Sequence, residues 1–146
     1  MVPGADAAAF RRGDYATAYR LTLPGAMHGD KTAQHNLGIL YERGLGVPHD
    51  DAKAAYWYHS AAVQGQPMAA DDLAQMYASG RGIARDRVQS YLWFTRAASY
   101  ATNATDRAAT LRNRTTLVTQ MTPAELTEAR RLAGAPPARR RRRQDL

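Results

Sequence analysis

The chain carries four histidines, and imidazoles at suitable spacing can bind zinc or act as a general base. They are His28, His35, His49 and His59. No two of them stand four residues apart with an acidic third ligand, so the sequence predicts no zinc site. We interpret all four as surface histidines near helix ends. His59 and Ser60 are adjacent, and neighbours on a helix point about 100° apart, so they are not a base and its nucleophile.

Two pairs of neighbouring carboxylates, Asp50–Asp51 and Asp71–Asp72, are candidates for acid–base chemistry. Capping of a helix accounts for Asp50, and we expect the other three carboxylates to be solvated. The glycine loops at 44–46 and 80–82 do not follow a strand, as a phosphate-binding loop does. The chain has no cysteine, which excludes thiolate catalysis and thiolate metal sites. We therefore predict no catalytic residue, no cofactor, no metal and no small-molecule substrate.

The elements that carry these motifs belong to an internal repeat, because residues 29–64 align with residues 65–100 at an offset of 36. Ten positions are identical. They include Leu37/Leu73, Tyr41/Tyr77, Gly44/Gly80, Gly46/Gly82, Asp50/Asp86 and Trp57/Trp93. A fixed period of this length is typical of stacked helical repeats, in which each unit buries its apolar face against the next.

Each unit is predicted to form two antiparallel helices. In the first unit, apolar residues at helical spacing follow Asp30, a plausible N-cap, and Gly44 breaks the pattern. Asp50 then caps a second helix that ends at Gly65. Pro67 opens the next unit at a position where its missing N–H costs nothing. The expected fold is all-α, a solenoid of antiparallel helix pairs.

The aromatic residues of the two repeat units are predicted to fill the core between helices. They are Tyr41, Tyr56, Trp57, Tyr58, Tyr77, Tyr91, Trp93 and Phe94. A stacking platform for nucleic-acid bases is the alternative interpretation of the same residues. Their fixed places in the period favour packing.

The segments outside the two units are assigned by their capping signals. Asn103 to Asp106 and Thr122 to Glu125 each predict a helix start, and we expect these two helices to cap the array. The organisation is then residues 1–28 as a half repeat, 29–64 and 65–100 as repeats, 101–134 as a capping helix pair, and 135–146 as a disordered tail. In the half repeat, Pro24 is expected to kink the helix.

Residues 29–64 resemble the Sel-one-like repeat (SLR) family, a branch of the tetratricopeptide-like helical repeats. The resemblance rests on AQHNLGILYERGLGVPHD and on AAYWY followed by Ala61-Ala62, and it extends more loosely through LAQMYASGRGIARD and YLWFTRAA. It implies a right-handed superhelix and a non-enzymatic adaptor, of a kind common in bacteria, that binds a partner protein or extended peptide. The first helix of each unit would line the concave groove.

Polar residues off the predicted packing stripe of those first helices are the candidate partner-binding set. They are Gln34, Asn36, Glu42, Asp72, Gln75 and Ser79. The resemblance implies that Asn36, directly before Leu37-Gly38, can hydrogen-bond a peptide backbone. Asp72 takes that place in the second unit and would repel an acidic ligand. We therefore expect a peptide with some basic character, while a merely solvated helix face remains the alternative.

Charge is concentrated at the C-terminus. Of the net charge of +7, residues 139–146 account for +4, through the run Arg139, Arg140, Arg141, Arg142 and Arg143. This run offers an alternative function, which is binding of nucleic acid or an anionic membrane, although a purely solvating tail is the favoured interpretation of the run. The N-terminal residues show no export signal, so the cytoplasm is the default expectation unless a signal has been removed.

Overall fold

The computed structural model describes residues 4–134, in which there are eight α-helices and no strand. The helices are α1 (Ala5–Arg11), α2 (Tyr15–Met27), α3 (Lys31–Arg43), α4 (Asp51–Ala62), α5 (Pro67–Ser79), α6 (Arg87–Tyr100), α7 (Ala104–Val118) and α8 (Pro123–Gly134). Consecutive helices pack on one another from α1 to α7, and α8 packs on α6. The prediction of an all-α solenoid of helix pairs is confirmed. None of the helices in this part of the chain is long and apolar enough to cross a bilayer.

Side-chain caps explain where the helices begin. Asp30 and Asp50 accept hydrogen bonds from the backbone N–H groups of Ala33 (2.9 Å) and Lys53 (3.0 Å). These bonds satisfy donors that the first helical turn leaves unpaired, and each is worth about 1 kcal/mol. Asn103 caps α7 in the same way. The predicted caps at Asp30, Asp50 and Asn103 are confirmed.

The start of α8 is a reciprocal capping box, as its sequence predicts. The Glu125 backbone N–H donates to the Thr122 hydroxyl at 3.1 Å, and the Glu125 carboxylate accepts from the Thr122 backbone N–H at 2.8 Å. That bond lowers the pKa of Glu125. The box satisfies two backbone N–H groups at the start of α8.

Each helix pair meets the preceding pair through a glycine in its loop. Gly46 has a φ of 72° and Gly82 a φ of 68°, a left-handed conformation that favours glycine. A Cβ atom on Gly46 would strike the backbone carbonyl of Tyr15, and one on Gly82 would strike that of Asp51. Each loop therefore lies directly on the start of the second helix of the preceding pair. This contact recurs because the glycine recurs at an offset of 36.

Small residues bring the helices close together and large ones fill the remaining space. The alanines that are completely buried include Ala54, Ala61, Ala62, Ala69, Ala70 and Ala74. Leu37, Leu40 and Leu73 lie among them with no exposed surface. Burial of each leucine stabilises the fold by roughly 1.5–3 kcal/mol.

The aromatic residues divide between core and surface. Those that are buried are Tyr41, Tyr58, Tyr91, Trp93 and Phe94. Trp57 and Tyr77 are half-buried against the edge of the core. Tyr56 is 64% exposed, so its predicted place in the core is wrong. On α4, Tyr58 faces α3, Trp57 lies at the edge of the core, and Tyr56 turns toward solvent.

The N-terminal region contains more helix than the sequence predicted. A short helix, α1, precedes the expected one and buries Ala9. Helix α2 continues through Pro24 as far as Met27. Proline lacks an N–H and so leaves one carbonyl of the preceding turn without its donor.

Candidate functional site

Two cavities lie in line between α5 and α7, and together they form what we call the α5–α7 groove. The first has a volume of about 390 Å³ and the second about 230 Å³. Asn113 lines both. The first is lined by Gln66, Pro67, Met68, Asp71, Asp72, Ala101, Thr102, Asp106, Ala109, Thr110 and Asn113. The second is lined by Gln75, Ala78, Phe94, Asn113, Thr116, Leu117 and Gln120.

Asp71 fixes the spacing of the two walls of the groove. Its carboxylate accepts hydrogen bonds from the Thr110 hydroxyl and from the Asn113 amide at 3.2 and 3.3 Å. On its own helix it accepts a third partner, the Gln75 amide, at 2.6 Å. Asp71 was expected to be solvated, and that expectation is wrong. The carboxylate ties α5 to α7 because the groove brings donors of α7 opposite it.

Asp72 joins α5 to α3. Its Oδ2 atom lies 2.9 Å from Nε2 of His35, whose side chain is almost completely buried and packs 5.7 Å from the Tyr58 ring. The prediction that all four histidines are surface residues is therefore wrong for His35. The side chain of Asp72 keeps 32% of its surface exposed and also lines the first cavity. It was expected to be merely solvated, but it both holds α3 against α5 and faces the groove.

The first cavity is acidic. Its lining contains three carboxylates, Asp71, Asp72 and Asp106, and no lysine, arginine or histidine. The nearby Arg107 directs its guanidinium to the backbone carbonyls of Ala98 (3.3 Å) and Ala101 (3.2 Å). Carboxylates gathered in a concave site produce a focused negative potential that attracts a cation.

The second cavity has no charged lining residue. Its polar groups are the amides of Gln75, Asn113 and Gln120 and the hydroxyl of Thr116, set beside Phe94 and Leu117. A side-chain amide both donates and accepts, so it can pair with either group of a peptide backbone. The groove thus changes along its length from acidic to neutral and amide-rich.

The structure places two residues of the predicted partner-binding set, Asp72 and Gln75, in the groove. Glu42 instead accepts hydrogen bonds from the Tyr58 hydroxyl and from Arg81 at 3.2 Å. Burial, followed by the Asp72 and Glu42 carboxylates, raises the pKa of Tyr58 well above its usual range. Ser79 donates to the Gln75 backbone carbonyl of its own helix at 3.0 Å.

Gln34 is the clear correction to that set. It is only 6% exposed, and its amide nitrogen donates to the Ala26 carbonyl at 3.2 Å while its Oε1 accepts from Gln64 at 2.8 Å. It was predicted to lie off the packing stripe, but the end of α2 covers it. Asn36, by contrast, is half-buried, and its amide has no hydrogen-bond partner within residues 4–134.

Sequence reasoning missed the whole contribution of α7. Thr110, Asn113 and Thr116 form one wall of the groove. They lie after residue 100, where the 36-residue period stops, so no offset could point to them. The only signal was their polarity on a helix whose apolar positions are few.

Two further predictions concern metals and the tail. Within the described range 4–134, no group of three or more histidine or acidic side chains is arranged to hold a metal ion. The run Arg139–Arg143 lies outside the described residues, so its binding to nucleic acid or membrane stays a prediction.

A stack of antiparallel helix pairs with a groove along it defines an α-solenoid repeat protein. Residues 31–66 and 67–99 each match the model of the Sel1 repeat. The chain is a Sel1-like repeat protein. Proteins of this family generally mediate protein–protein interactions and are generally non-catalytic scaffolds.

Solved structures of Sel1-like proteins share this fold. One is a protective antigen of uropathogenic Escherichia coli with an SLR fold, which is 31% identical with a TM-score of 0.78 over 88% of this chain. Another is a Sel1 repeat protein from Oxalobacter formigenes, which is 26% identical with a TM-score of 0.69 over 79% of this chain. The chain spans 27% and 45% of the lengths of these two proteins. A search of curated proteins gave no match.

Proposed function

We propose that this chain is a non-enzymatic adaptor that binds an extended segment of a partner protein in the α5–α7 groove. The observation that supports this most is the pair of cavities in line, one acidic and one lined by amides. From Pro67 to Ala78 the groove follows α5 for roughly 17 Å at 1.5 Å per residue. That length accommodates about five residues of extended peptide.

The chemistry of the first cavity favours a basic side chain in that segment. Met68 is 63% exposed and, with Pro67 and Ala109, offers apolar surface for the methylene stem of an arginine or lysine. Asp72 and Asp106 then lie within the same cavity to accept the charged head. An arginine can meet a carboxylate through two parallel hydrogen bonds, which adds specificity as well as energy.

The second, neutral cavity complements the acidic one, because its amides can pair with the backbone of the bound peptide. Gln75 and Asn113 stand on opposite walls, one on α5 and one on α7. Each amide nitrogen already donates to Asp71, and in this proposal the amide oxygen and the second N–H pair with the peptide. A peptide between them satisfies its backbone groups on both sides without regard to sequence. Asn36, which follows His35 on α3, extends the same polar surface in this proposal.

A displayed library of random peptides tests the proposal. The selection uses the full chain with all five residues Arg139–Arg143 changed to glutamine, so that the native run cannot compete. We expect enriched peptides to be extended and basic. Their affinity should fall by about tenfold or more, equivalent to at least 1.4 kcal/mol, when Gln75→Ala and Asn113→Ala are combined.

The matched control is Gln89→Ala, which removes an amide from α6 outside the groove. Thermal melts establish that each variant is folded before affinity is measured. Peptides that bind the groove variant as tightly as the parent, or a selection that enriches nothing, would overturn the proposal.

A further inference from the structure

We propose that this chain's own arginine run, Arg139–Arg143, binds in the acidic first cavity of the α5–α7 groove. The inference rests on the proposed function, because the same surface would receive the run and a partner segment. The groove would then be occupied in the free protein, and a partner would bind by displacing the run.

Charge complementarity is the first argument. The cavity presents Asp71, Asp72 and Asp106 and no basic side chain. The run supplies five consecutive guanidinium groups and carries most of the net charge of the chain. Asp71 already accepts hydrogen bonds from Thr110, Asn113 and Gln75. Asp72 and Asp106 each have one side-chain partner, His35 and Asn103 respectively, so they keep more acceptor capacity and are the principal partners in this proposal.

The position at which the described chain ends is the second argument. Helices α6 and α8 begin side by side, because Arg87 Nη1 and Glu125 Oε1 in their first turns lie 3.9 Å apart. The two helices pack together and contain 14 and 12 residues. In this proposal the two helices run in the same direction, so that Gly134 lies toward the end of α6. The residues that follow α6, Ala101 and Thr102, line the first cavity.

The number of residues after α8 is sufficient for the run to reach the cavity. Arg139 follows Gly134 by five residues and Arg143 by nine, which span at most roughly 17 and 30 Å. Because α8 packs on α6, and α6 packs on both α5 and α7, we place the cavity about two helix spacings from α8, or roughly 20 Å. An intramolecular ligand of this kind acts at a high effective concentration, so modest contacts are enough to hold it.

A spin label on the segment after the run tests the proposal directly. The chain has no cysteine, so Gln144→Cys gives a single attachment site in the full-length protein without a change of charge. We expect the label to broaden the backbone amide signals of Met68, Asp72 and Asp106 in a ¹⁵N-labelled sample, while those of α2 stay sharp. In 1 M salt the Debye length is about 3 Å, and the broadening should be lost.

Two matched variants test the role of the carboxylates. Asp72→Asn combined with Asp106→Asn keeps the hydrogen-bonding shape but removes two charges, and it should abolish the broadening. Asp6→Asn removes a carboxylate from α1, at the far end of the array, and should leave the broadening unchanged. Broadening that survives loss of Asp72 and Asp106 charge would overturn the inference.

The remaining outcomes are equally decisive. Absence of broadening in the groove, or broadening spread evenly over the protein, contradicts the proposal. So does broadening that appears when ¹⁵N-protein without a spin label is mixed with spin-labelled ¹⁴N-protein. In that case the run of one molecule would bind a second copy. The peptide selection described above uses chains without the arginines, so it can succeed when this inference fails.

Discussion

The ring of Tyr58 lies directly over Gly38, so close that a Cβ atom on Gly38 would stand 2.5 Å from the Tyr58 Cδ1 and Cε1 atoms. This contact joins the two helices of the first repeat, α3 and α4. Tyr58 is 1% exposed and also donates a hydrogen bond to Glu42, which in turn binds Arg81. The glycine therefore sets how closely the hairpin closes around its largest buried side chain.

We predict that Gly38→Ala destabilises the protein even though alanine is the better helix former. Overpacking costs typically 1–3 kcal/mol, and helix propensity returns about 1 kcal/mol. The net loss in free energy of unfolding, measured in urea titrations followed by circular dichroism, should therefore be up to about 2 kcal/mol. Gly134→Ala, which has no atom within 4 Å of its new Cβ, is the control. A Gly38→Ala variant as stable as the wild type would contradict the packing described for Tyr58.

The contact between repeats predicts unequal effects at two glycines of similar conformation. Gly82→Ala and Gly13→Ala both force an L-residue to a φ near +70°, which costs roughly 1–2 kcal/mol. Only the Gly82 Cβ also strikes the Asp51 carbonyl, whereas Gly13 has open space. The midpoint of thermal unfolding should drop further for Gly82→Ala. Equal drops would mean that the loop does not depend on this close approach.

Tyr58→Phe should alter stability differently at neutral and alkaline pH. At pH 7 the loss of the hydrogen bond to Glu42 costs about 1 kcal/mol. The pKa of Tyr58 is raised in the folded protein, so its contribution to stability is complete below pH 10 and falls as the pH rises above the value of an unfolded tyrosine.

The wild type should therefore lose stability more steeply than Tyr58→Phe above pH 10. Urea midpoints measured at pH 7, 10 and 11.5 give the comparison. Parallel curves for the two proteins across this range would show that Tyr58 ionises as readily when folded as when unfolded.

Gln34→Ala should reduce stability and leave groove binding intact. The substitution leaves the Ala26 carbonyl without its side-chain donor and removes the partner of Gln64, a loss of about 1–3 kcal/mol. Fluorescence anisotropy of a selected peptide should give the same dissociation constant for this variant and the parent. Weaker peptide binding at unchanged stability would instead indicate that Gln34 contacts the peptide, as the sequence predicted.

The helices were predictable from the sequence because they are specified locally. Asp30, Asp50 and Asn103 cap the backbone three residues ahead, and Gly44 ends α3 through its own left-handed conformation. These effects need no distant partner. The 36-residue offset then places the same signals in the second unit, so the order of the hairpins follows.

The site was less predictable because distant partners determine it. Gln34 is buried by α2, and His35 and Asp72 meet across two helices. Asp71 finds its donors on α7, 39 and 42 residues away. Side chains at equivalent positions of a repeat face different neighbours near the end of the array, so periodicity alone does not assign them.

The most direct test of the groove is a map of amide-shift changes as a selected peptide is added to the chain that carries glutamine in place of Arg139–Arg143. The largest changes should fall on α5 and α7, including the side-chain amides of Gln75 and Asn113. Changes confined to α2 and α4, with Gln75 and Asn113 unaffected, would contradict the account.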